Sequence, residues 1–284
     1  MKKQTKEIVA FWTFRILSIL VLGVLVWILE FIFVRGWHML NWDFLTKMPE
    51  DGMTKGGIYP AIIGTLYLVA GSMLFAFPIG VMAGIYINEY TKDSWFKRFM
   101  KLMTNNLAGI PSIVFGLFGM SLFVKTLGFG DSILAGSLTL GLLALPVVIR
   151  VTEEALLAVD DSFRQGSLAL GATKLQTIRK VVLPIAMPNI LTGLILSIGR
   201  VSGETAPILF TVAAYFLPKL PSSIFDQVMA LPYHLYVIST SGTKVEESRD
   251  MAYGTALVLV LFVLILNLIA NAMRRYLGKK VKMN

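Results

Sequence analysis

The sequence predicts an all-α membrane protein with six transmembrane helices. The mean hydropathy is +0.72 and only 15% of the residues are charged, whereas an ordinary soluble domain carries about 25% charged residues. Six stretches are each long enough, at roughly 20 apolar residues, to cross the hydrocarbon core of a bilayer. Lys and Arg are concentrated at the two chain ends and in alternate connecting segments, which is the charge pattern of a polytopic membrane protein.

The predicted spans are residues 11–34, 58–87, 107–124, 132–151, 190–217 and 253–273. Lys2, Lys3 and Lys6 precede the first span, but its apolar run is too long for a signal peptide, so we expect a retained helix. The expected organisation is a first helix with its outer loop in residues 1–57, a five-helix domain in residues 58–273 and a basic tail in residues 274–284.

Both chain ends are expected on the cytoplasmic face, because every segment on that side is then richer in Lys and Arg than any segment on the other side. Topology thus explains the net charge of +9, and nucleic acid is not expected as a partner. The absence of Cys excludes a disulfide frame, a thiol nucleophile and a Cys-ligated metal. We expect His38 and His234 to be solvated loop residues rather than a metal or catalytic site.

Small residues and prolines recur inside the predicted spans. Glycine lets helix backbones approach closely in lipid, where no hydrophobic force drives helices together. Proline kinks or interrupts a span, and the carbonyl groups that it frees need other partners. The glycine pairs are Gly80 and Gly84, Gly116 and Gly119, Gly136 and Gly141, and Gly199 and Gly203, and the prolines are Pro78, Pro111 and Pro146.

The fifth predicted span contains a charged pair, Arg200 and Glu204. Counting from Ile190 at about 1.5 Å per residue puts Arg200 roughly 15 Å into a core about 30 Å thick, with Glu204 one helical turn further on the same face. An ionised residue at that depth costs about 2.5–3.5 kcal/mol on insertion scales. We therefore expect both side chains to face protein or water.

Two interpretations of this pair remain open. Arg200 and Glu204 can neutralise each other as an internal ion pair. Alternatively, Arg200 binds a passing oxyanion with its planar fork of donors, and Glu204 accepts a hydrogen bond from a protonated oxyanion or holds Arg200 between passages. The second interpretation predicts that monohydrogen phosphate is preferred over sulfate, because sulfate carries no proton at neutral pH.

A polar segment, residues 150–188, separates two of the spans and predicts a compact hairpin of capped short helices on the membrane surface. A hydroxyl followed three residues later by a Gln side chain is the spacing of a capping box, and glycine suits a helix C-terminus. Proline is expected to limit the second helix. The residues concerned are Ser162 with Gln165, Thr173 with Gln176, Gly171, and Pro184 with Pro188.

The same segment resembles the EAA loop of permease subunits of binding-protein-dependent ABC importers. That loop has the pattern E-A-A, three residues, Gly, nine residues, Ile, one residue and Leu-Pro. The glycine and the Leu-Pro match, whereas the first three residues and the Ile position depart from the pattern. The corresponding residues here are Gln165, Gly166 and Ser167, then Gly171, Val181, Leu183 and Pro184.

Two further runs, L-A-G-I-P-S-I-V-F-G-L-F-G at 107–119 and G-R-V-S-G-E-T-A-P-I-L-F-T at 199–211, resemble the permease subunits of the phosphate-specific ABC importer. The short loop at 125–131 is more similar to the PstA type than to its PstC-type sister. This resemblance implies a type I ABC importer permease fold in a bacterial inner membrane, where the chain would form half of a phosphate pathway. It identifies residues 58–273 as the permease domain.

The resemblance also implies partners: a PstC-like sister permease, two PstB-like ATPase subunits, a PstS-like extracytoplasmic phosphate-binding protein and membrane lipid. The sequence contains no P-loop, so the chain is expected to bind no cofactor and to depend on ATP used by the partner subunits. No catalytic or metal-binding residue is expected. The expected pathway residues are Arg200, Glu204 and Thr205, and the expected ATPase coupling loop is Gln165, Gly166, Ser167, Leu168, Ala169, Leu170, Gly171, Ala172 and Thr173.

The coupling hypothesis is that closure of the ATPase subunits pushes the capped hairpin as a rigid lever. Two other classes of membrane protein fit the sequence less well. A secondary transporter or channel driven by an ion gradient would need inverted repeats with paired broken helices, and the two halves show no convincing similarity. An intramembrane enzyme lacks a His or Cys in any predicted span and lacks a paired-carboxylate site.

Overall fold

The computed structural model describes residues 2–241 and 248–283, with side chains described for 7–240 and 248–276, so the side chains of Lys2, Lys3 and Lys6 lie outside the description. The described chain is mostly helical, which confirms the predicted fold class. Its helices are α1 Lys2–Gly36, α2 Trp42–Thr46, α3 Tyr59–Ile85, α4 Trp95–Ala108, α5 Ser112–Gly119, α6 Ile133–Leu157, α7 Asp161–Ala169, α8 Lys174–Thr177, α9 Leu183–Ser202, α10 Ala206–Leu209, α11 Leu231–Tyr236 and α12 Arg249–Met283.

Shorter elements interrupt or extend these helices. Four π-helical turns are present at Tyr86–Tyr90, Met120–Thr126, Ile178–Val182 and Val237–Ser241. Strands β1 Pro49–Glu50 and β2 Lys55–Gly56 pair in antiparallel fashion between α2 and α3. Below, the end of the bundle that carries this strand pair is called the β end, and the opposite end is called the α7 end.

Within the described residues, five helical runs are long and apolar enough to cross a membrane, namely Glu7–Met39, Tyr59–Tyr90, Ile133–Leu157, Lys174–Ser202 and Arg249–Tyr276. A sixth span forms if Trp95–Ala108 and Ser112–Thr126 count together, although these two helices are bent by 98°. The predicted third span, 107–124, therefore begins at a break rather than within one helix. Pro111 has an extended backbone at this break, and a proline disfavours the helical conformation of the residue before it.

The predicted fifth span, 190–217, was wrong at both ends. The helical run begins at Lys174 and ends at Ser202, and Ala213 beyond it pairs with Val228 as an isolated bridge. The prediction that Pro184 and Pro188 limit a short surface helix was also wrong. Pro184 lies in the first turn of α9, where proline is tolerated, and Pro188 lies inside the helix.

Helices α3, α6 and α9 form the centre of the bundle. A Cβ atom at Gly80 or Gly84 of α3 would lie only 2.7 Å from Val148 or Thr152 of α6, so these glycines allow the close backbone approach that the sequence predicted. Helix α1 packs against α12, where the rings of Phe31 and Tyr253 are 5.7 Å apart. Apart from such contacts, the most apolar stretch of α1 is not buried by other parts of the chain.

The prediction that both histidines are solvated was wrong for His234. His234 lies in α11 and is only 1% exposed, and among the described residues neither ring nitrogen has a hydrogen-bond partner. His38, in a short 3-10 turn, is exposed as predicted. Burial of His234 follows from the folding of residues 231–241 back into the bundle, which the sequence alone did not indicate.

Candidate functional site

Helix α7 is capped at both ends. The Asp160 side chain accepts a hydrogen bond of 2.8 Å from the Ser162 N–H, and hydrogen bonds from the side chain and backbone of Ser162 lower the pKa of Asp160. The helix thus begins before Ser162, and the predicted capping box of Ser162 and Gln165 was wrong. At the other end, the N–H groups of Gly171 and Ala172 donate to the carbonyls of Leu168 and Ser167, which is the Schellman pattern.

Helix α8 follows with the capping box that the sequence predicted. The Gln176 N–H donates to the Thr173 hydroxyl at 3.3 Å, and the Thr173 N–H donates to Gln176 Oε1 at 2.9 Å. The hydroxyls of Ser167 and Thr177 lie 2.9 Å apart and connect α7 to α8. Helices α7 and α8 therefore form one cross-linked hairpin with defined ends.

Gly171 carries the turn between the two helices, because its φ angle of +82° is in the left-handed region that favours glycine. We expect Gly171→Ala to destabilise the hairpin by about 1–2 kcal/mol. Gly166→Ala is the matched control, since Gly166 lies inside α7 with open space around it, and alanine there should stabilise the helix by about 1 kcal/mol. Hydrogen-deuterium exchange across α7 measures both changes, and equal exchange in the two variants would contradict the assignment of the turn.

Arg164 connects the hairpin to the helix bundle. Its guanidinium lies 2.8 Å from Glu89 Oε1 and donates hydrogen bonds of 2.7 Å to the carbonyls of Leu156 and Val159. It also pairs with Asp161 at 3.0 Å. Side-chain exposure is only 17% for Arg164 and 8% for Glu89, so this ion pair is largely withdrawn from solvent.

The acidic neighbours of Arg164 stabilise its positively charged form. Burial by itself would lower the pKa of Arg164, but hydrogen bonding and charge attraction from Glu89, and then from Asp161, outweigh burial and raise the pKa. Glu89 belongs to the π-helical turn Tyr86–Tyr90 at the end of α3. The ring of Tyr90 in the same turn lies 5.0 Å from Lys174 Nζ, so α3 contacts both halves of the hairpin.

The sequence did not reveal the contact between Arg164 and Glu89. The two residues are 75 positions apart in the sequence. A usable signal was the position of Glu89, an acid two residues after the end of the second apolar run. No local spacing rule joins it to Arg164.

Most residues predicted to form the coupling loop lie on the outer surface of the hairpin. Leu170 is 91% exposed and Leu168 is 49% exposed, while Ser167 and Ala172 are half-buried. Large exposed apolar side chains at a polar end of a membrane protein indicate a contact surface for another chain. We call this surface the α7 patch, and it consists of Phe163, Leu168, Leu170 and Leu175.

Arg200 lies in the last turn of α9 rather than in the middle of a helix, and its expected depth in the membrane stays a prediction. Glu204 lies beyond the end of the helix rather than on its face. The two side chains nevertheless meet, with Arg200 Nε 3.6 Å from Glu204 Oε1. This separation is an ion pair but too long for a hydrogen bond.

Thr205 follows Glu204 directly and precedes α10, and its carbonyl accepts a hydrogen bond from the Leu209 N–H. Helix α10 packs on α5 at Gly116, where a Cβ would lie 2.9 Å from the Ala206 carbonyl oxygen. The turn that carries Glu204 and Thr205 is thereby fixed against the broken third span. All three predicted pathway residues therefore share one short region at the end of α9.

The Arg200 region is open on one side. The Arg200 side chain is 37% exposed, and Leu196, one turn earlier on α9, is 57% exposed. The chain's own helices therefore leave part of the Arg200 side chain uncovered, whereas the Glu204 side chain is only 17% exposed. Among the described side chains, no group of three His, Cys, Asp or Glu residues could hold a metal ion.

Comparison with known proteins agrees with this architecture. Residues 76–283 match the family described as binding-protein-dependent transport system inner membrane component. The phosphate transport system permease protein PstA of Mycobacterium leprae is 39% identical over 96% of this chain and 90% of its own length. The probable ABC transporter permease protein YqgI of Bacillus subtilis is 32% identical over the full length of both chains.

A solved structure shows the same fold at lower identity. A chain of a bacterial alginate ABC transporter, crystallised with its alginate pentasaccharide-bound periplasmic protein, superposes with a TM-score of 0.66 at 16% identity and covers 93% of this chain and 95% of its own. The overall fold of the chain therefore also occurs in a solved ABC transporter structure. The chain belongs to the family of inner-membrane components of binding-protein-dependent transport systems.

Proposed function

We propose that this chain is the PstA-type permease subunit of an ATP-driven importer of inorganic phosphate. The observation that carries the proposal is the Arg200 region, in which an exposed guanidinium and a carboxylate lie 3.6 Å apart at the open end of α9. Close relatives named as phosphate permeases support the same substrate. The chain forms half of the pathway, and its open face is completed by a PstC-like sister permease.

Phosphate chemistry fits the two side chains. The Arg200 guanidinium donates to phosphate oxygens in a charge-assisted bidentate contact, and Glu204 accepts a hydrogen bond from the P–OH group of monohydrogen phosphate. Sulfate has no such proton at neutral pH and is repelled by the carboxylate. In the absence of the anion, Glu204 holds Arg200 in place.

The α7 end faces the cytoplasm in this proposal, together with both chain termini. The basic residues predicted for that side support this orientation, although Lys279, Lys280 and Lys282 lie outside the described side chains. Two PstB-like ATPase subunits bind the α7 patches of the two permeases and use ATP. A PstS-like binding protein delivers phosphate at the β end. This chain itself catalyses no reaction.

ATP-driven closure of the ATPase subunits moves α7 as a rigid body. The Schellman cap, the capping box of Thr173 and the hydroxyl contact between Ser167 and Thr177 keep the hairpin stiff. The buried pair of Arg164 and Glu89 transfers the movement to α3, and the continuous helical run Lys174–Ser202 transfers it to Arg200.

The test is uptake by the complete complex in proteoliposomes loaded with ATP, with phosphate and sulfate offered separately at neutral pH. We expect ATP-dependent phosphate uptake that requires the binding protein, and no comparable uptake of sulfate. Equal transport of the two anions would contradict the assigned substrate. Accumulation of phosphate by this chain alone, without ATP, would assign it to the gradient-driven transporters instead.

A further inference from the structure

A line of polar residues on α12 faces α9 inside the apolar bundle. Asn267, Asn271 and Arg274 are spaced at four and three residues, so they share one face of α12. A Cβ at Gly199 of α9 would lie 3.5 Å from Asn267 Nδ2, and Arg274 donates a hydrogen bond of 3.1 Å to the Thr192 hydroxyl of α9. We call this line the polar seam, consisting of Asn267, Asn271 and Arg274.

The side-chain oxygens of the two asparagines in the seam do not join the helices by hydrogen bonds. The side-chain oxygens of Asn267 and Asn271 are buried, and neither has a hydrogen-bond partner within the described chain. The neighbour of Asn267 on α9 is Gly199, which offers no side chain. Because a buried amide without a partner is costly, two of them on one helix face indicate that a further polar group occupies this position during function.

Charge and position connect the seam to the proposed pathway. Asn267 lies beside Gly199, the residue directly before Arg200. Arg274 lies about 10 Å further along α12, toward the α7 end. Arg274 is half-buried, and no ion pair of this residue occurs among the described side chains. The seam thus begins beside the residue that precedes Arg200 and ends at a second arginine, Arg274.

We propose that the polar seam is the inner part of the anion pathway, along which phosphate passes from Arg200 past Asn267 and Asn271 to Arg274. This inference rests on the proposed function. A carboxamide both donates and accepts hydrogen bonds, so it serves the oxygens of phosphate as donor and its P–OH group as acceptor. The seam therefore favours a protonated oxyanion, and Arg274 receives it at the cytoplasmic end.

The test combines Asn267→Leu and Asn271→Leu in the complete reconstituted complex. We expect phosphate uptake to fall at least about tenfold, the loss typical of removing a hydrogen bond to a charged group. The Tm of the complex should stay the same or rise, because leucine removes two unpaired buried oxygens. Asn267→Ser with Asn271→Ser, which keeps donors and acceptors, should retain most of the uptake. Ile269→Ala, on the opposite and exposed side of α12, is the control and should leave uptake unchanged.

Three results would overturn the inference or its basis. Uptake that remains at the wild-type rate in the leucine variant removes the seam from the pathway. Loss of uptake together with a lower Tm shows that the amides hold the helices together instead. A wild-type complex that takes up no phosphate contradicts the proposed function itself. Loss of uptake in the leucine variant alone contradicts neither the proposed function nor the seam.

Discussion

Replacing Arg164 with methionine is expected to separate ATP hydrolysis from transport. The substitution removes the buried pair with Glu89 and two hydrogen bonds to carbonyls at the end of α6. Breaking a buried ion pair by removing one partner costs about 3–5 kcal/mol, and the lower value applies because Arg164 keeps some exposure. The complex should still assemble, since the α7 patch is intact, but ATP-driven uptake should be lost while ATP hydrolysis continues.

Arg150→Gln is the matched control for this experiment. Arg150 pairs with Glu154 at 2.9 Å, but both side chains are mostly exposed, and such surface pairs contribute about 0–1 kcal/mol. Uptake in this variant should stay close to the wild-type rate. The double variant Arg164→Met with Glu89→Met should recover part of the stability, because no buried charge is left unpaired. An Arg164→Met complex that transports normally would show that α3 does not carry the movement.

Replacing Arg200 with glutamine is expected to abolish most phosphate uptake without dissociating the complex. Hydrogen bonds to charged groups contribute about 1.5–3 kcal/mol, and about 1.4 kcal/mol corresponds to a tenfold change, so uptake should fall by about 10- to 100-fold. Arg200→Lys keeps the charge but loses the planar fork, and it should give an intermediate rate. Transport assays and size-exclusion chromatography of the same preparations measure both properties.

The internal ion pair makes the opposite prediction for Arg200→Gln. If Arg200 serves only to neutralise Glu204, its removal leaves a partly buried carboxylate without a partner, and the complex should fall apart or lose thermal stability. Glu204→Gln then restores stability in the double variant. Under the pathway interpretation, Glu204→Gln instead reduces the discrimination against sulfate, because the repelling charge is removed.

The sequence was sufficient to predict the helical class and most of the membrane spans, because long apolar runs have few alternatives in a bilayer. The sequence was insufficient to predict where a helix ends within a continuous apolar stretch. Residues 203–217 are nearly as apolar as α9, yet the helix ends at Ser202. Hydropathy measures preference for lipid and does not distinguish a helix from an apolar segment packed inside the bundle.

Local sequence signals in and around the predicted coupling loop indicated helix ends, but more than one residue fitted each signal. The box at Thr173 and the left-handed Gly171 formed as predicted, whereas Asp160 replaced Ser162 as the helix cap. Asp160, Asp161 and Ser162 are all suitable cap residues, and only the direction of the preceding chain decides among them. The contact between Arg164 and Glu89 depends on where two distant helices end, which no spacing within one segment encodes.

The π-helical turn at Ile178–Val182 has a consequence for how a small displacement of α7 can reach Arg200. A π turn contains one residue more than the α-helical winding around it. With 3.6 residues in each α-helical turn, absorbing that residue rotates everything beyond it by about 100°. A change at this turn would therefore reorient Arg200, the residue that we propose to bind the anion, relative to the rest of the bundle.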